Sequence, residues 1–111
     1  MKPLSVVIPI LVLTFAAAPV RAVDEAAAMD LIKSSKCSTC HSIDKDKDGP
    51  SFRSVAEKYR GDPEAEAKLI EVVSKPHMVE IDGEEEEHGL AKTRDAAKIS
   101  NLVQWILSQC Q

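Results

Sequence analysis

The sequence predicts an all-α domain of about four short helices, with a small β-hairpin at residues 77–92. Apolar residues recur at helical spacing in four segments of the chain. Prolines and glycines separate these segments from one another. The Asp82-Gly83 pair lies between two short arms, the first of alternating character, which is the pattern of a tight hairpin turn.

The N-terminal segment has the order of a secretory signal peptide. Lys2 is followed by an apolar run over residues 4–18 and then by Val20-Arg21-Ala22, a small-x-small cleavage site. We expect cleavage after Ala22, which leaves a domain at 23–111. The alternative is a membrane anchor, but the run is shorter than the roughly 20 residues that cross a bilayer.

The length and charge of the mature chain restrict its class. The full chain has 111 residues and a net charge of −4, and Lys2 and Arg21 leave with the signal, so the mature charge is −6. This length fits one domain. The acidic balance excludes nucleic acid as an expected partner and keeps a small protein soluble.

The first helix is expected from Glu25 to Lys36, ending at Cys37. Asp24 precedes it as the candidate N-cap, and its charges run from acidic to basic as the helix dipole favours. Residues 41–53 contain alternating charges and Gly49-Pro50, so we expect a loop there.

Three further segments complete the domain. A second helix is expected over residues 51–59, and a third from Pro63 to Lys75, where Pro76 ends it. In the hairpin, residues 84–87 are four glutamates, which we expect to be exposed. The last helix begins at Thr93, its expected N-cap, with an apolar face flanked by Trp105 and formed by Ile99, Leu102, Val103, Ile106 and Leu107.

The segment Cys37-Ser38-Thr39-Cys40-His41 carries the strongest chemical signal. Cys-x-x-Cys-His is the pattern of covalent c-type haem attachment. Two thiols one short turn apart can bond the two vinyl groups on one porphyrin edge, and the histidine ligates the iron. A zinc site would need a second pair of ligands at regular spacing, and a thioredoxin-like dithiol would need a preceding strand. A disulfide between residues three apart would constrain little chain, so we expect one haem c, held by Cys37 and Cys40 with His41 as proximal ligand.

With this motif in view, the sequence resembles the class I c-type cytochromes over residues 24–109. The resemblance rests on the haem motif after an N-terminal helix, on Gly49-Pro50-Ser51-Phe52, on Tyr59-Arg60-Gly61 and on residues 102–107. It implies the cytochrome c fold, in which short helices surround one haem and the terminal helices cross. Ala28, Leu31 and Ile32 would then meet Trp105. It also implies that the carbonyl of Pro50 accepts a hydrogen bond from the ring of His41.

The sequence departs from this family at the sixth iron ligand, because the usual Met-Pro loop is absent. His88, Met78 and His77 are the candidates, in that order. His88 lies 17 residues before Trp105, a separation that matches the family pattern, whereas Met78 lies 27 residues before it. Two histidine ligands would give a low reduction potential, since imidazole stabilises ferric iron relative to a thioether.

The resemblance implies a one-electron carrier between redox proteins of the periplasm and not an enzyme, either free or as the electron-transfer subunit of a dehydrogenase. The alternative is a haem protein that binds or senses a small gas such as NO or CO through a displaceable sixth ligand. We expect a monomer that does not span the membrane after signal cleavage. Cys110, the third cysteine, is expected to stay a free thiol, with a Cys110-linked dimer as the alternative.

Overall fold

The computed structural model describes residues 1–6, 8–14 and 22–110. Its helices are α1 (Glu25–Ser34), α2 (Phe52–Lys58), α3 (Ala65–Ser74) and α4 (Ala96–Leu107), with a short 3₁₀ turn at Cys37–Thr39. Strands β1 (Met78–Ile81) and β2 (Glu84–Glu87) form one antiparallel hairpin. The expected all-α fold with a small hairpin is therefore confirmed. Residues 15–21 of the expected signal peptide lie outside the described residues.

Helices α1 and α4 pack against each other and bring the two ends of the domain together. The Asp24 side chain accepts a hydrogen bond from the backbone N–H of Ala27, so Asp24 is the N-cap of α1. The backbone N–H of Asp24 donates to Asn101 Oδ1, and Asn101 Nδ2 donates back to the Asp24 carbonyl, both at 2.8 Å. Ala28 and Ile32 of α1 lie in one buried cluster with Trp105, and Leu31 packs against it.

Helices α2 and α3 cover the other sides of α4. Ser51, which is 1% exposed, caps α2 by accepting from the backbone N–H of Ser54. On α3, Glu66 Oε1 accepts from Ser100 Oγ at 2.6 Å and from Gln104 Nε2 at 3.2 Å, which ties α3 to α4. Residues of all four helices line one central cavity.

The start of α4 differs from the sequence expectation. Its N-cap is Asp95, whose side chain accepts from the N–H groups of Ala97 and Lys98, and not Thr93. Thr93 lies two residues earlier in the chain, and its Oγ1 instead accepts a hydrogen bond from the Asp95 N–H at 3.1 Å. Threonine followed by aspartate offers two capping side chains, and the carboxylate, which carries the full charge, takes the helix end.

Other boundaries and one core position also shift. Helix α1 ends at Ser34, where the N–H of Ser35 caps it. Helix α3 begins at Ala65, two residues after Pro63. Trp105 does not flank the apolar face of α4 but lies within it, at 3% exposure.

The hairpin forms around the turn that the sequence indicated. Asp82 and Gly83 have φ values of 52° and 83°, and a type I′ turn requires positive φ at both central residues. The register pairs Met78 with Glu87 and Ile81 with Glu84. All four residues of β2 are exposed, as expected for a run of glutamates.

Candidate functional site

The Cys-x-x-Cys-His segment forms a tight helical turn at the end of α1. Lys36 takes the left-handed conformation with φ of 60°, which turns the chain out of α1 and into the 3₁₀ turn. The N–H groups of Cys40 and His41 both donate to the carbonyl of Cys37. In 3₁₀ geometry side chains three residues apart eclipse, so Cys37 and Cys40 project on the same side.

These three side chains reach a single cavity of about 680 Å³. Its volume falls within the range of about 300–1,000 Å³ that is typical of cofactor and ligand sites. Most of its wall is apolar and comes from α1, α2, α3 and α4, through residues that include Ile32, Val55, Leu69, Val73, Leu102 and Ile106. Burial raises the pKa of the Cys37 thiol, which keeps this cysteine protonated at neutral pH.

The ring of His41 is held on two sides. Its Nδ1 lies 2.6 Å from the carbonyl oxygen of Pro50. Because a carbonyl can only accept, Nδ1 carries the proton and donates, which leaves the lone pair on Nε2. Phe52 stacks on the ring at a centroid distance of 5.5 Å. The rings of Phe52 and Trp105 meet in a T-shaped arrangement, also with a centroid distance of 5.5 Å.

Gly49 makes room for this ring, a role that the sequence analysis did not assign. A Cβ atom at position 49 would lie 2.5 Å from Cε1 and 2.9 Å from Nδ1 of His41. The sequence analysis interpreted Gly49-Pro50 as a loop and as part of the family resemblance, with Pro50 as the partner of His41, but it gave Gly49 no role of its own. No local pattern in the sequence marks the approach of the ring, which depends on how the loop folds back.

His88 and His41 line the same cavity. The centroids of the two rings are 6.1 Å apart, with a 60° angle between their planes. Two imidazoles that share one metal ion, at a metal–nitrogen distance of about 2 Å each, have centroids about 6 Å apart. His88 and His41 therefore have the spacing of a pair of axial ligands.

The environment of His88 favours a neutral ring. Burial lowers its pKa, and the neighbouring imidazoles of His77 and His41 lower it further, against a smaller opposing effect of the Gly89 backbone. The ring is therefore neutral at pH 7 and has a lone pair available for a metal ion. Its Nδ1 is buried and makes no hydrogen bond to any residue that the structure describes.

The other two candidates for the sixth ligand are placed differently. Met78 is 56% exposed and pairs with Glu87 at the open end of the hairpin. His77 lines the cavity, and its ring stacks on His88 at a centroid distance of 4.6 Å. The stacking of the two histidines was not anticipated from the sequence.

A covalently attached haem fits these residues. Two thiols lie on one side of a turn, the contact with Pro50 leaves Nε2 of one imidazole free, and a second neutral imidazole lines the same apolar cavity. Gly49 leaves space that the ring of His41 fills, and the buried Nδ1 of His88 makes no hydrogen bond within the described residues. A thiol pair followed by imidazole is the donor set of a c-type haem.

The third cysteine is not among the residues that line this cavity. Cys110 Sγ lies 2.6 Å from Nη2 and 3.0 Å from Nε of Arg60, and this contact raises the pKa of the Arg60 guanidinium. Cys110 is thus held against the turn after α2. Within the described residues no helix combines the length and apolar character that crossing a membrane requires.

A known protein family resembles this chain over most of its length. The family model for cytochrome c matches residues 26–109. Cytochrome c-551 of Allochromatium vinosum is 42% identical over 40 residues, a segment that covers 36% of this chain and 43% of that protein's length. The match therefore spans less than half of this curated relative.

Solved structures extend the likeness to the whole domain. The class 1 cytochrome MtoD from Sideroxydans lithotrophicus ES-1 is 48% identical, with a TM-score of 0.77, and the match covers 81% of this chain and 100% of that one. Wild-type cytochrome c552 of Nitrosomonas europaea is 22% identical, with a TM-score of 0.59, covering 73% of this chain and 98% of that one. At that identity the second likeness establishes the fold alone.

Proposed function

Because the chain belongs to the cytochrome c family, whose class I members are electron carriers with covalently bound haem, we propose that it carries single electrons on one haem c. In this proposal Cys37 and Cys40 would attach the haem, and His41 and His88 would ligate its iron. The protein is a carrier and not an enzyme.

One observation carries the proposal: the rings of His88 and His41 lie 6.1 Å apart, centroid to centroid, and line the cavity that Cys37 and Cys40 also reach. Met78 is 56% exposed on the hairpin and does not line this cavity, which argues against a methionine ligand. The sequence ranked the candidates as His88, Met78 and His77, and we therefore keep the first of them, His88, as the proposed sixth ligand.

Haem iron supplies the one-electron couple between its ferric and ferrous states. The residues around the site would keep the environment of the iron the same in its ferric and ferrous states. Pro50 fixes the tautomer and direction of His41, and Phe52 stacks on the same ring. The apolar wall excludes water. A site that does not rearrange lowers the barrier to electron transfer, so the rigid packing around His41 serves the carrier function.

The ligands and nearby charges favour a low reduction potential. Imidazole stabilises the ferric state more than a thioether does. Glu80, Glu86 and Glu87 border the cavity, and their negative charges favour the same, more positive state. We therefore infer a low-potential, low-spin carrier.

The expected signal peptide over residues 1–22 supports a periplasmic location, where the carrier would pass electrons between redox proteins. Its mature charge of −6 favours partners with a positive docking face and argues against nucleic acid. The contact of Cys110 with Arg60 occupies the third thiol and supports a monomer over a Cys110-linked dimer.

Absorbance and electron paramagnetic resonance spectra of the holoprotein test the ligand assignment. We expect a low-spin ferric spectrum without the weak red-edge band that a methionine sulfur gives. His88→Ala should become high-spin, while Met78→Ala, on the same hairpin, should keep the wild-type spectrum. A methionine band that disappears in Met78→Ala would overturn the assignment of His88.

A further inference from the structure

The two histidines of the hairpin lie at its open end and are joined through the backbone. The strand register pairs Met78 with Glu87. One residue further out, the N–H of His88 donates to the carbonyl of His77 at 2.9 Å. The hairpin therefore fixes these two residues side by side, whatever their side chains do.

The side chains of His77 and His88 also meet face to face. Their ring centroids are 4.6 Å apart and their planes differ by 23°, which is a stacked arrangement. The ring of His77 is itself held by a hydrogen bond, because its Nδ1 lies 3.0 Å from the carbonyl oxygen of Lys75 and donates to it. His77 thus presents a fixed face to His88.

The two rings proposed as ligands are restrained in different ways. A ligating histidine usually donates its other ring N–H to a carbonyl or carboxylate, which sets the plane of the ring. His41 has this partner in Pro50. Nδ1 of His88 is buried and has no such partner among the described residues. Of the two rings near His88, the stacked ring of His77 at 4.6 Å is closer than the tilted ring of His41 at 6.1 Å, so His77 is the neighbour that can set the plane of the His88 ring.

We propose that His77 is a positioning residue, whose stacked ring sets the plane of His88 and keeps it on the iron in place of the usual hydrogen bond. This inference rests on the proposed function, because it takes His88 as the sixth ligand. It assigns a role to the third candidate of the sequence analysis without making it a ligand.

The test compares holoprotein variants by CO binding to the ferrous form and by ferric electron paramagnetic resonance. CO binds only when the sixth ligand leaves, so its rate reports how firmly His88 is held. The g-value anisotropy reports the relative orientation of the two axial rings. His77→Ala removes the stacked ring, His77→Phe restores a flat face, and Met78→Ala is the control on the neighbouring exposed position.

His77→Ala should bind CO about three- to tenfold faster than the wild type, the factor that corresponds to a stacked aromatic pair. Its g-values should shift, while those of His77→Phe should return towards the wild type. Thermal melts of the same variants show whether a change in CO rate or g-values comes from a general loss of structure. Met78→Ala and His77→Phe should have the same Tm.

Two results would overturn the role of His77. One is a CO rate and g-values in His77→Ala that equal those of the wild type. The other is a CO rate in His77→Phe that rises as much as in His77→Ala. If His88→Ala stays low-spin, the proposed ligand itself is wrong, which is a different failure and is seen independently of any His77 variant.

Discussion

At position 49 the ring of His41 leaves no space for a side chain. The distances of 2.5 to 3.1 Å from a Cβ atom to three ring atoms are far inside van der Waals contact. The ring cannot withdraw easily, because Pro50 holds its Nδ1 and Phe52 lies against its face. Here the requirement for glycine is one of space, since the backbone φ at this residue is not in the left-handed region.

Gly49→Ala should therefore disturb the proximal side of the site. Forcing one extra carbon into a packed position costs about 1–3 kcal/mol of unfolding free energy, and each 1 kcal/mol lowers the Tm of a domain this size by about 4–8 °C. We expect a lower Tm and a reduced yield of haem-loaded protein, measured by thermal melts and haem-to-protein absorbance ratio.

Gly89→Ala is the matched control for that experiment. A Cβ atom at position 89 meets no atom within 4 Å, so this variant should behave as the wild type. Equal stability and haem content in both variants would show that the His41 ring yields to a methyl group at no cost.

Among the elements, the loop between the Cys-x-x-Cys-His segment and α2 is joined to the start of α2 by the carboxylate of Asp46, among other contacts. Asp46 Oδ1 accepts from the N–H of Ser51 at 2.7 Å and from Ser54 Oγ at 3.0 Å. These bonds close the loop on the first turn of α2, beside Pro50. The N–H of Ser51 and then the hydroxyl of Ser54 hold the pKa of Asp46 below its usual value of 3.8.

This carboxylate predicts an acid-dependent stability. Since the folded pKa is lowered, ionised Asp46 stabilises the folded state above the unfolded pKa, and that contribution is lost as the pH falls through the folded pKa. We expect Asp46→Ala to lower the Tm at neutral pH, with the difference from wild type shrinking as the pH drops below 3.8.

Melts across the acidic range check this, with Asp30→Ala, an exposed carboxylate on α1, as the control. A Tm difference for Asp46→Ala that stays constant from neutral to strongly acidic pH would contradict the role of the ionised group.

The sequence was sufficient for the elements whose signals are local. Helical periodicity predicted all four helices, and Asp82-Gly83 predicted the hairpin turn. The N-cap of α4 was predicted wrongly, because both Thr93 and Asp95 can cap and the sequence analysis did not weigh the full charge of the Asp95 carboxylate at the helix end. The stacking of His77 on His88 depends on the hairpin register, and the contact of Gly49 with His41 on a folded loop, so neither has a pattern in the sequence.

The domain over residues 23–111 is acidic as a whole, with a net charge of −6. Glutamates 84–87 contribute four of these charges from the exposed strand β2, next to His88. A negative field at this place attracts cations and repels anions approaching the site, and added salt screens it.

Small redox reagents of opposite charge should therefore respond to salt in opposite ways. Oxidation of the ferrous protein by a tripositive cobalt complex should slow several-fold as salt rises, and oxidation by hexacyanoferrate(III) should accelerate, both measured by stopped-flow absorbance. Changing residues 84–87 to glutamine should weaken both trends. If the cationic reagent instead reacts faster at high salt, electrons leave through a basic surface elsewhere.

The reciprocal bond between Asp24 and Asn101 joins residues that are 77 positions apart in the chain. Contacts of such long sequence separation slow folding, because a long loop must close before they form, and here they require nearly the whole polypeptide. Until α4 docks, the apolar face of α1, which directly precedes Cys37 and Cys40, lacks its partner. In the proposed function, haem attachment to these thiols would compete in time with the docking of α4, so a faster-folding variant would leave less time for attachment.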